Sequence, residues 1–88
     1  MTVAVTTVRV RYFASARAAR GAETEDLQLP EGATVADAVA TLRARHPGPL
    51  ARILDAASFL VDGVAVRDKT KPLPADTELD VLPPFAGG

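Results

Sequence analysis

The clearest strand signal in the chain is the run Val8-Arg9-Val10-Arg11-Tyr12-Phe13. Val8, Val10 and Tyr12 would fall on one face of an extended chain, and the arginines and Phe13 on the other. A period of two is typical of a strand that buries one face and leaves the other in water. We therefore predict the first strand here, with its apolar face toward a core.

The residues that follow predict a short helix and then a second strand. Residues 14–19 are rich in alanine, the best helix former, and Gly21 follows as a glycine cap. Residues 23–29 alternate like a strand and stop at Pro30-Glu31-Gly32, which is a turn signal. Because few residues separate the two strands, we expect them to pair as a hairpin.

The main helix is predicted to begin at Thr34. Thr34 and Asp37 resemble a capping box, in which each side chain bonds the backbone amide of the other residue. An apolar stripe at helical spacing follows, made of Val35, Ala38, Val39 and Leu42. The helix should end at His46-Pro47-Gly48-Pro49, and we assign His46 to its C-terminus, where a cation favours the helix dipole.

The second half of the chain predicts a further helical turn or two and three more strands. Residues 50–57 carry apolar residues at helical spacing. Asp62-Gly63 lies between two short apolar runs and is the strongest short-range hairpin signal that a sequence offers. Residues 67–76 contain prolines and predict a loop, and residues 77–82 alternate as a final strand.

This order of elements predicts an α+β fold of the ubiquitin-like β-grasp type. We expect a mixed sheet of about four to five strands with one main helix packed on one face. The chain fits one domain, residues 1–88, with residues 83–88 as an extended C-terminal tail. The first and last strands are neighbours in that fold, so cross-strand charge pairs are expected on the outer sheet face among Arg9, Arg11, Glu78 and Asp80. Each pair would contribute roughly 0.2 to 1 kcal/mol.

The composition argues against several classes of function. The net charge is −1 with no long run of like charges, so we expect neither a nucleic-acid nor a membrane partner. The sequence has no cysteine, a single histidine and no glycine-rich phosphate loop, so we expect no metal and no cofactor bound by this chain. The N-terminal residues lack the basic and apolar regions of a signal peptide, which predicts a cytoplasmic location.

The end of the sequence is the run Leu82-Pro83-Pro84-Phe85-Ala86-Gly87-Gly88, which is unusual for an unstructured terminus. Pro83 and Pro84 fix φ and lack amide donors, so they would form a stiff spacer. Phe85 offers an aromatic anchor to a partner. Gly87 and Gly88 lack a Cβ and could enter a narrow channel. These residues predict a tail that reaches into another protein.

The reactive group is the carboxylate of Gly88. Its ordinary pKa is about 3.3 to 3.7, so at neutral pH it is ionised and could attack the α-phosphorus of ATP on a partner enzyme. A sulfur donor would convert the acyl-adenylate to a thiocarboxylate, whereas a lysine amine would convert it to an isopeptide bond. A third interpretation is an interaction domain with an idle tail, because two terminal glycines occur by chance in roughly one chain in two hundred.

Two stretches resemble the MoaD/ThiS family of sulfur carriers, in particular its molybdopterin synthase branch. The first covers residues 10–21, with a strand, an aromatic pair, an Ala-rich turn containing Arg17, and Gly21. The second is the ending Asp80-Val81-Leu82-Pro83-Pro84-Phe85-Ala86-Gly87-Gly88. Ala18, where an acid is frequent in the family, and the turn at residues 74–76 depart from the family pattern.

The resemblance implies a carrier that is not a stand-alone enzyme. Its partners would be an E1-like adenylating enzyme that uses ATP, a sulfurtransferase or other sulfur donor, and the large subunit of molybdopterin synthase, which would supply the catalytic side chains. Related carriers supply sulfur for cysteine, thiamine or secondary metabolites, so those destinations stay open. A role as a ubiquitin-like protein modifier also stays open.

The candidate site therefore consists of one reactive residue and a set of contact residues. Gly88 carries the chemistry, and the residues predicted to bind partners are Pro83, Pro84, Phe85, Ala86, Gly87, Phe13 and Arg17. Phe13 would either join a contact patch with Phe85 or pack under the short helix. Arg17 would either contact an acid of the partner or remain solvated.

Overall fold

A mixed sheet forms the body of the protein, whose computed structural model describes residues 4–84. Its strands are β1 Val5–Tyr12, β2 Thr24–Pro30, β3 Ser58–Val61, β4 Val64–Ala65 and β5 Glu78–Leu82. The helices are α1 Ala14–Arg20, α2 Val35–Arg45 and α3 Pro49–Ala56. The strand order is β2-β1-β5-β3-β4, with β1 and β5 parallel and the other neighbours antiparallel. The predicted α+β architecture is confirmed.

The first strand is longer than the alternation of residues 8–13 indicated. It begins at Val5, because its N-terminal half pairs with the end of β2, where Val5 lies opposite Pro30. Val8, Val10 and Tyr12 are buried, so the predicted apolar face is confirmed. The side chains that pack with them come from the other strands and the helices, and include Leu27, Leu29, Ala38, Leu42, Leu50, Leu54, Leu79 and Val81.

The capping box predicted at the start of α2 is present. The Asp37 amide donates to Thr34 Oγ1 at 3.1 Å, and the Thr34 amide donates to Asp37 Oδ2 at 2.9 Å. A further amide of the first turn, that of Ala36, donates to the Lys69 carbonyl at 2.9 Å. The loop that precedes β5 therefore packs against the start of α2 and helps to satisfy its free amides.

The turn predicted at Asp62-Gly63 joins β3 to β4. Both residues have positive φ, 48° and 83°, which is the conformation that a two-residue hairpin of type I′ requires. The Asp62 carboxylate also accepts hydrogen bonds from Thr77 Oγ1 at 2.6 Å and from the Glu78 amide at 2.9 Å. The same residue thus shapes the hairpin and fixes the start of β5.

The two other helices differ in how well local sequence indicated them. The glycine cap of α1 is confirmed, since Gly21 has φ 80° and its amide donates to the Arg17 carbonyl at 2.9 Å. The helical turn or two predicted near Leu50 is an eight-residue helix, α3, which begins with Pro49 in its first turn. Leu50 and Leu54 of α3 are buried, so this helix extends the cover that α2 gives to the sheet.

We expect Thr34→Ala to lower the free energy of unfolding by about 1 kcal/mol, because the variant loses the side-chain acceptor of the capping box. Urea denaturation monitored by circular dichroism measures this difference. Thr34→Ser is the matched control, since it keeps the hydroxyl oxygen and should stay close to the wild type. An unchanged unfolding midpoint for Thr34→Ala would show that the cap contributes nothing.

Candidate functional site

The C-terminal tail, residues 83–88, follows directly after β5, which lies in the interior of the sheet. We call Leu82 and Pro83, where the tail begins, the root of the tail. Val81 pairs with Tyr12 of β1 on one side and with Phe59 of β3 on the other. Strands on both sides therefore fix the point from which the chain leaves the sheet. Pro83 is buried and packs with the domain, whereas Pro84 is exposed. The predicted site residues Phe85, Ala86, Gly87 and Gly88 lie outside the described residues.

An open groove of about 380 Å³ adjoins this root on the helical side of the sheet. Pro83 and Pro84 form one wall, and the other walls come from α1 and α3. Its remaining lining residues are Ser15, Pro49, Arg52, Ile53 and Ala56. Most of these side chains are apolar, and Arg52 supplies a positive charge at the edge. Sequence reasoning did not identify this groove, because no spacing signal relates α3 to the two prolines.

Phe13 and Arg17 are brought together at a second, smaller concavity of about 210 Å³. Phe13 is half-buried at the start of α1, and its amide donates to the Val81 carbonyl at 3.3 Å, which places it beside the end of β5. Its ring centroid lies 5.4 Å from the Arg11 guanidinium carbon. Arg17 is exposed, and its Nη1 lies 3.4 Å from Glu23 Oε1. Because this ion pair is long and exposed to water, it is weak, and Arg17 is available to another partner.

The ion pairs on the outer sheet face differ from the predicted set. Arg11 binds Asp80 with two hydrogen bonds, Nε to Oδ1 at 2.7 Å and Nη2 to Oδ2 at 2.9 Å. Arg9 lies opposite Glu78 in the register but pairs with Asp26 of β2, at 3.3 Å. Arg11 Nε also lies 3.4 Å from Glu78 Oε1, so Arg11 pairs with both expected acids, whereas the ion pair of Arg9 is with Asp26 instead.

Asp80 lies beside Arg11 on the outer sheet face, as expected, but it is buried there. The residue is only 3% exposed, because β5 is flanked by β1 and β3 and the neighbouring residues Arg11 and Leu60 lie on either side of it. A buried carboxylate requires a hydrogen-bonding partner, and the two-pronged contact from Arg11 provides it. The pair therefore joins the first strand to the last strand next to the root of the tail.

A cluster around Glu25 was missed by sequence reasoning. Its carboxylate accepts a hydrogen bond from the Tyr12 hydroxyl at 2.6 Å and from Arg20 Nε at 3.0 Å. His46 Nε2 lies 2.8 Å from Oε1, and Arg45 Nη1 lies 3.3 Å from Oε2. The predicted placement of His46 at the C-terminus of α2 is correct, but its ring also contacts β2. The one available signal was that Glu25 shares the alternation of the buried β2 leucines.

The surroundings of Glu25 keep it ionised. Burial alone would raise its pKa, but the hydrogen bonds from Tyr12, Arg20 and His46 outweigh burial and lower the pKa from 4.5 to about 2. Burial, followed by the hydrogen bond to Glu25, raises the pKa of the Tyr12 hydroxyl. Because these partners belong to β1, α1 and the end of α2, the cluster is a structural clamp that fixes the helices on the sheet.

Residues 4–84 offer neither a metal site nor a membrane-spanning helix. No group of three or more His, Asp or Glu side chains in that part of the chain could hold a metal ion. No helix that the structure describes has the length and apolar character needed to cross a membrane. The candidate functional site is therefore the root of the tail with its two flanking concavities.

Comparison with known proteins relates the chain to one protein family. A family model described as the ThiS family matches residues 10–88. The molybdopterin synthase sulfur carrier subunit of Chlamydomonas reinhardtii is 30% identical over 82 residues, which is 92% of this chain and 98% of that protein. Both matches span nearly the whole chain.

Solved structures with the same architecture include two archaeal proteins. The putative molybdopterin converting factor subunit 1 of Pyrococcus furiosus has a TM-score of 0.77 and 26% identity, and the match covers 91% of this chain and 99% of that chain. SAMP1, the small archaeal modifier protein 1 of Haloferax volcanii, has a TM-score of 0.80 and 27% identity, and the match covers 93% and 99%. These similarities confirm the predicted β-grasp fold.

We expect the free energy of unfolding of Glu25→Gln to depend less on pH at acid pH than that of the wild type. The carboxyl has a pKa of about 2 in the folded protein against an ordinary value of 4.5. Because the folded pKa is lowered, its stabilising effect is fully present above about pH 4.5 and is lost as the pH falls through about 2. With allowance for screening by solvent, the difference is on the order of 1 to 2 kcal/mol at neutral pH.

Urea unfolding measured between about pH 6 and pH 2 tests this expectation, since the wild type should lose more stability across that range than Glu25→Gln. Glu23→Gln is the control, because its side chain is 78% exposed and its profile should follow the wild type. Parallel profiles for Glu25→Gln and the wild type would contradict the clamp.

Proposed function

The chain belongs to the ThiS family of sulfur carriers, and we propose that it carries sulfur as a thiocarboxylate on Gly88 for the synthesis of molybdopterin. The observation that carries the proposal is the family match through residue 88, together with the likeness to an algal molybdopterin synthase sulfur carrier subunit. The buried root at Pro83 supports it, because a tail that starts from the middle of a sheet has a fixed origin.

The proposed reaction has two steps, both on a partner. A carboxylate oxygen of Gly88 attacks the α-phosphorus of ATP, the bond to the β-phosphate breaks and pyrophosphate leaves. A sulfur nucleophile such as hydrosulfide then attacks the carbonyl carbon, AMP leaves with the former carboxylate oxygen, and loss of a proton gives the thiocarboxylate. An E1-like adenylating enzyme supplies the ATP site, and a sulfurtransferase or other donor supplies the sulfur.

The residues of this chain act in the cycle by positioning and contact. The Arg11–Asp80 pair and the strands on both sides of β5 hold the root of the tail in place. The residues proposed to contact partners are Pro83, Pro84, Phe85, Ala86, Gly87, Phe13 and Arg17. Phe13 and Arg17 line one concavity next to the end of β5, which suits a contact surface beside the tail.

We propose further that the large subunit of molybdopterin synthase receives the loaded tail. The algal relative is named a subunit of that synthase, and this chain spans nearly all of it. In this assignment the chain is the small subunit, and the large subunit supplies the side chains that transfer sulfur to the molybdopterin precursor. No ATP or cofactor site is assigned to this chain.

A second candidate function is protein modification. The structural similarity to SAMP1, named a small archaeal modifier protein, favours it over the idle-tail alternative. The first step is the same, but a lysine amine of a target attacks the acyl-adenylate and AMP leaves as an isopeptide bond forms. In cell extracts this function would give a ladder of higher-mass conjugates that disappears when Gly88 is deleted.

We expect the purified chain to gain a C-terminal thiocarboxylate when it is incubated with ATP, the adenylating enzyme from the same genome and a sulfide donor. Intact mass spectrometry would show one oxygen replaced by sulfur, and fragmentation would place the change on Gly88. The chain lacking Gly88 is the control and should stay unmodified. If no cognate pairing gives the sulfur-containing product, the carrier proposal is wrong. Conjugates without thiocarboxylate would favour the modifier.

A further inference from the structure

The groove beside Pro84 combines apolar residues with an arginine, and it has no role in the proposed cycle. We call it the α3 groove, lined by Ser15, Pro49, Arg52, Ile53, Ala56, Pro83 and Pro84. It lies against the helices and shares no lining residue with the concavity formed by Phe13 and Arg17. The root of the tail is therefore flanked by two distinct surfaces.

The length of the tail brings the adenylating enzyme close to the α3 groove during the reaction. Phe85 to Gly88 follow Pro84, and a fully extended chain of this length spans at most about 14 Å. The active site that adenylates Gly88 must therefore come within that distance of Pro84, which itself lines the groove. The residues next to Pro84, those of the α3 groove among them, are therefore within reach of the enzyme surface around its active-site entrance.

The charges around the groove indicate what kind of surface fits there. Arg52 is exposed, and it forms no salt bridge with any residue in the range 4–84. The acid on the same helix, Asp55, is paired with Arg43 of α2 and so does not neutralise Arg52. Ile53 and Ala56 provide an apolar floor beside this positive charge. The complementary surface is an apolar side chain next to a carboxylate.

We propose that the α3 groove is a docking site for the adenylating enzyme, which seats an apolar side chain against Ile53 and Ala56 and pairs an acidic residue with Arg52. The inference rests on the proposed function, in that it assumes adenylation of Gly88. It names the adenylating enzyme because adenylation is the step common to the carrier and modifier functions. The groove thus determines how well the carrier is recognised, while the tail determines the chemistry.

The test is carrier-dependent exchange of pyrophosphate into ATP, catalysed by the adenylating enzyme from the same genome at varied carrier concentration. We expect Arg52→Glu to raise KM for the carrier about tenfold or more with little change in kcat, because like charges then meet at the contact. The KM of Arg52→Lys should lie between those of the wild type and Arg52→Glu, because lysine keeps the charge but not the planar guanidinium. Ala56→Gln should raise KM several-fold by filling the groove.

Matched controls separate docking from general effects of substitution. Arg67→Glu reverses an exposed charge that lines a different groove, beside β4, and Ala40→Gln enlarges an exposed alanine on α2. Both should keep the wild-type KM. A second measurement is salt dependence, since kcat/KM of the wild type should fall more steeply with ionic strength than that of Arg52→Gln. Unfolding midpoints confirm that each variant is folded.

The outcomes distinguish failure of this inference from failure of the proposed function. If the wild type supports no exchange with any adenylating enzyme of its genome, adenylation of Gly88 is wrong and the docking site falls with it. If the wild type is active but Arg52→Glu and Ala56→Gln behave like their controls, only the docking site is wrong. A loss of kcat at unchanged KM also overturns the docking site.

Discussion

The pairing of β5 with β1 is the contact on which the rest of the structure depends. These strands are parallel and far apart in sequence, so their pairing forms only when the intervening helices and strands have folded back across the sheet. The two hydrogen bonds between Arg11 and Asp80 reinforce it from the outer face, over a separation of 69 residues. Asp80 is buried, so a different neighbour at the Arg11 position would leave a costly unpaired carboxylate.

The helical side has its own long-range constraint in the Glu25 cluster. One carboxylate receives hydrogen bonds from Tyr12 on β1 and Arg20 at the end of α1, and contacts His46 at the end of α2. Apolar packing alone would allow the helices to slide, because it is not directional. Hydrogen bonds to a charged acceptor have a fixed geometry, and here they set the relative positions of three elements.

Much of the fold could be predicted because its signals are local. The alternation of Val8, Val10 and Tyr12, the capping box at Thr34 and the Asp62-Gly63 turn each depend on residues only a few positions apart. The Glu25 cluster, the burial of Asp80 and the groove between α3 and Pro84 depend on residues that only tertiary structure brings together. The chemistry at Gly88 was inferred from the tail itself and stays a prediction, as do the roles of the residues from Phe85 onward.

The position of β5 between two strands also has a mechanical consequence. The hydrogen bonds that join β5 to β1 and β3 run between the strands, across the axis of β5, so a pull on the tail along that axis would load them sideways. Such a load acts on both ladders together, in shear, and cannot unzip them one bond at a time as it would at a free edge. The domain can therefore serve as an anchor under tension, and a partner can release the tail without unravelling the protein that carries it.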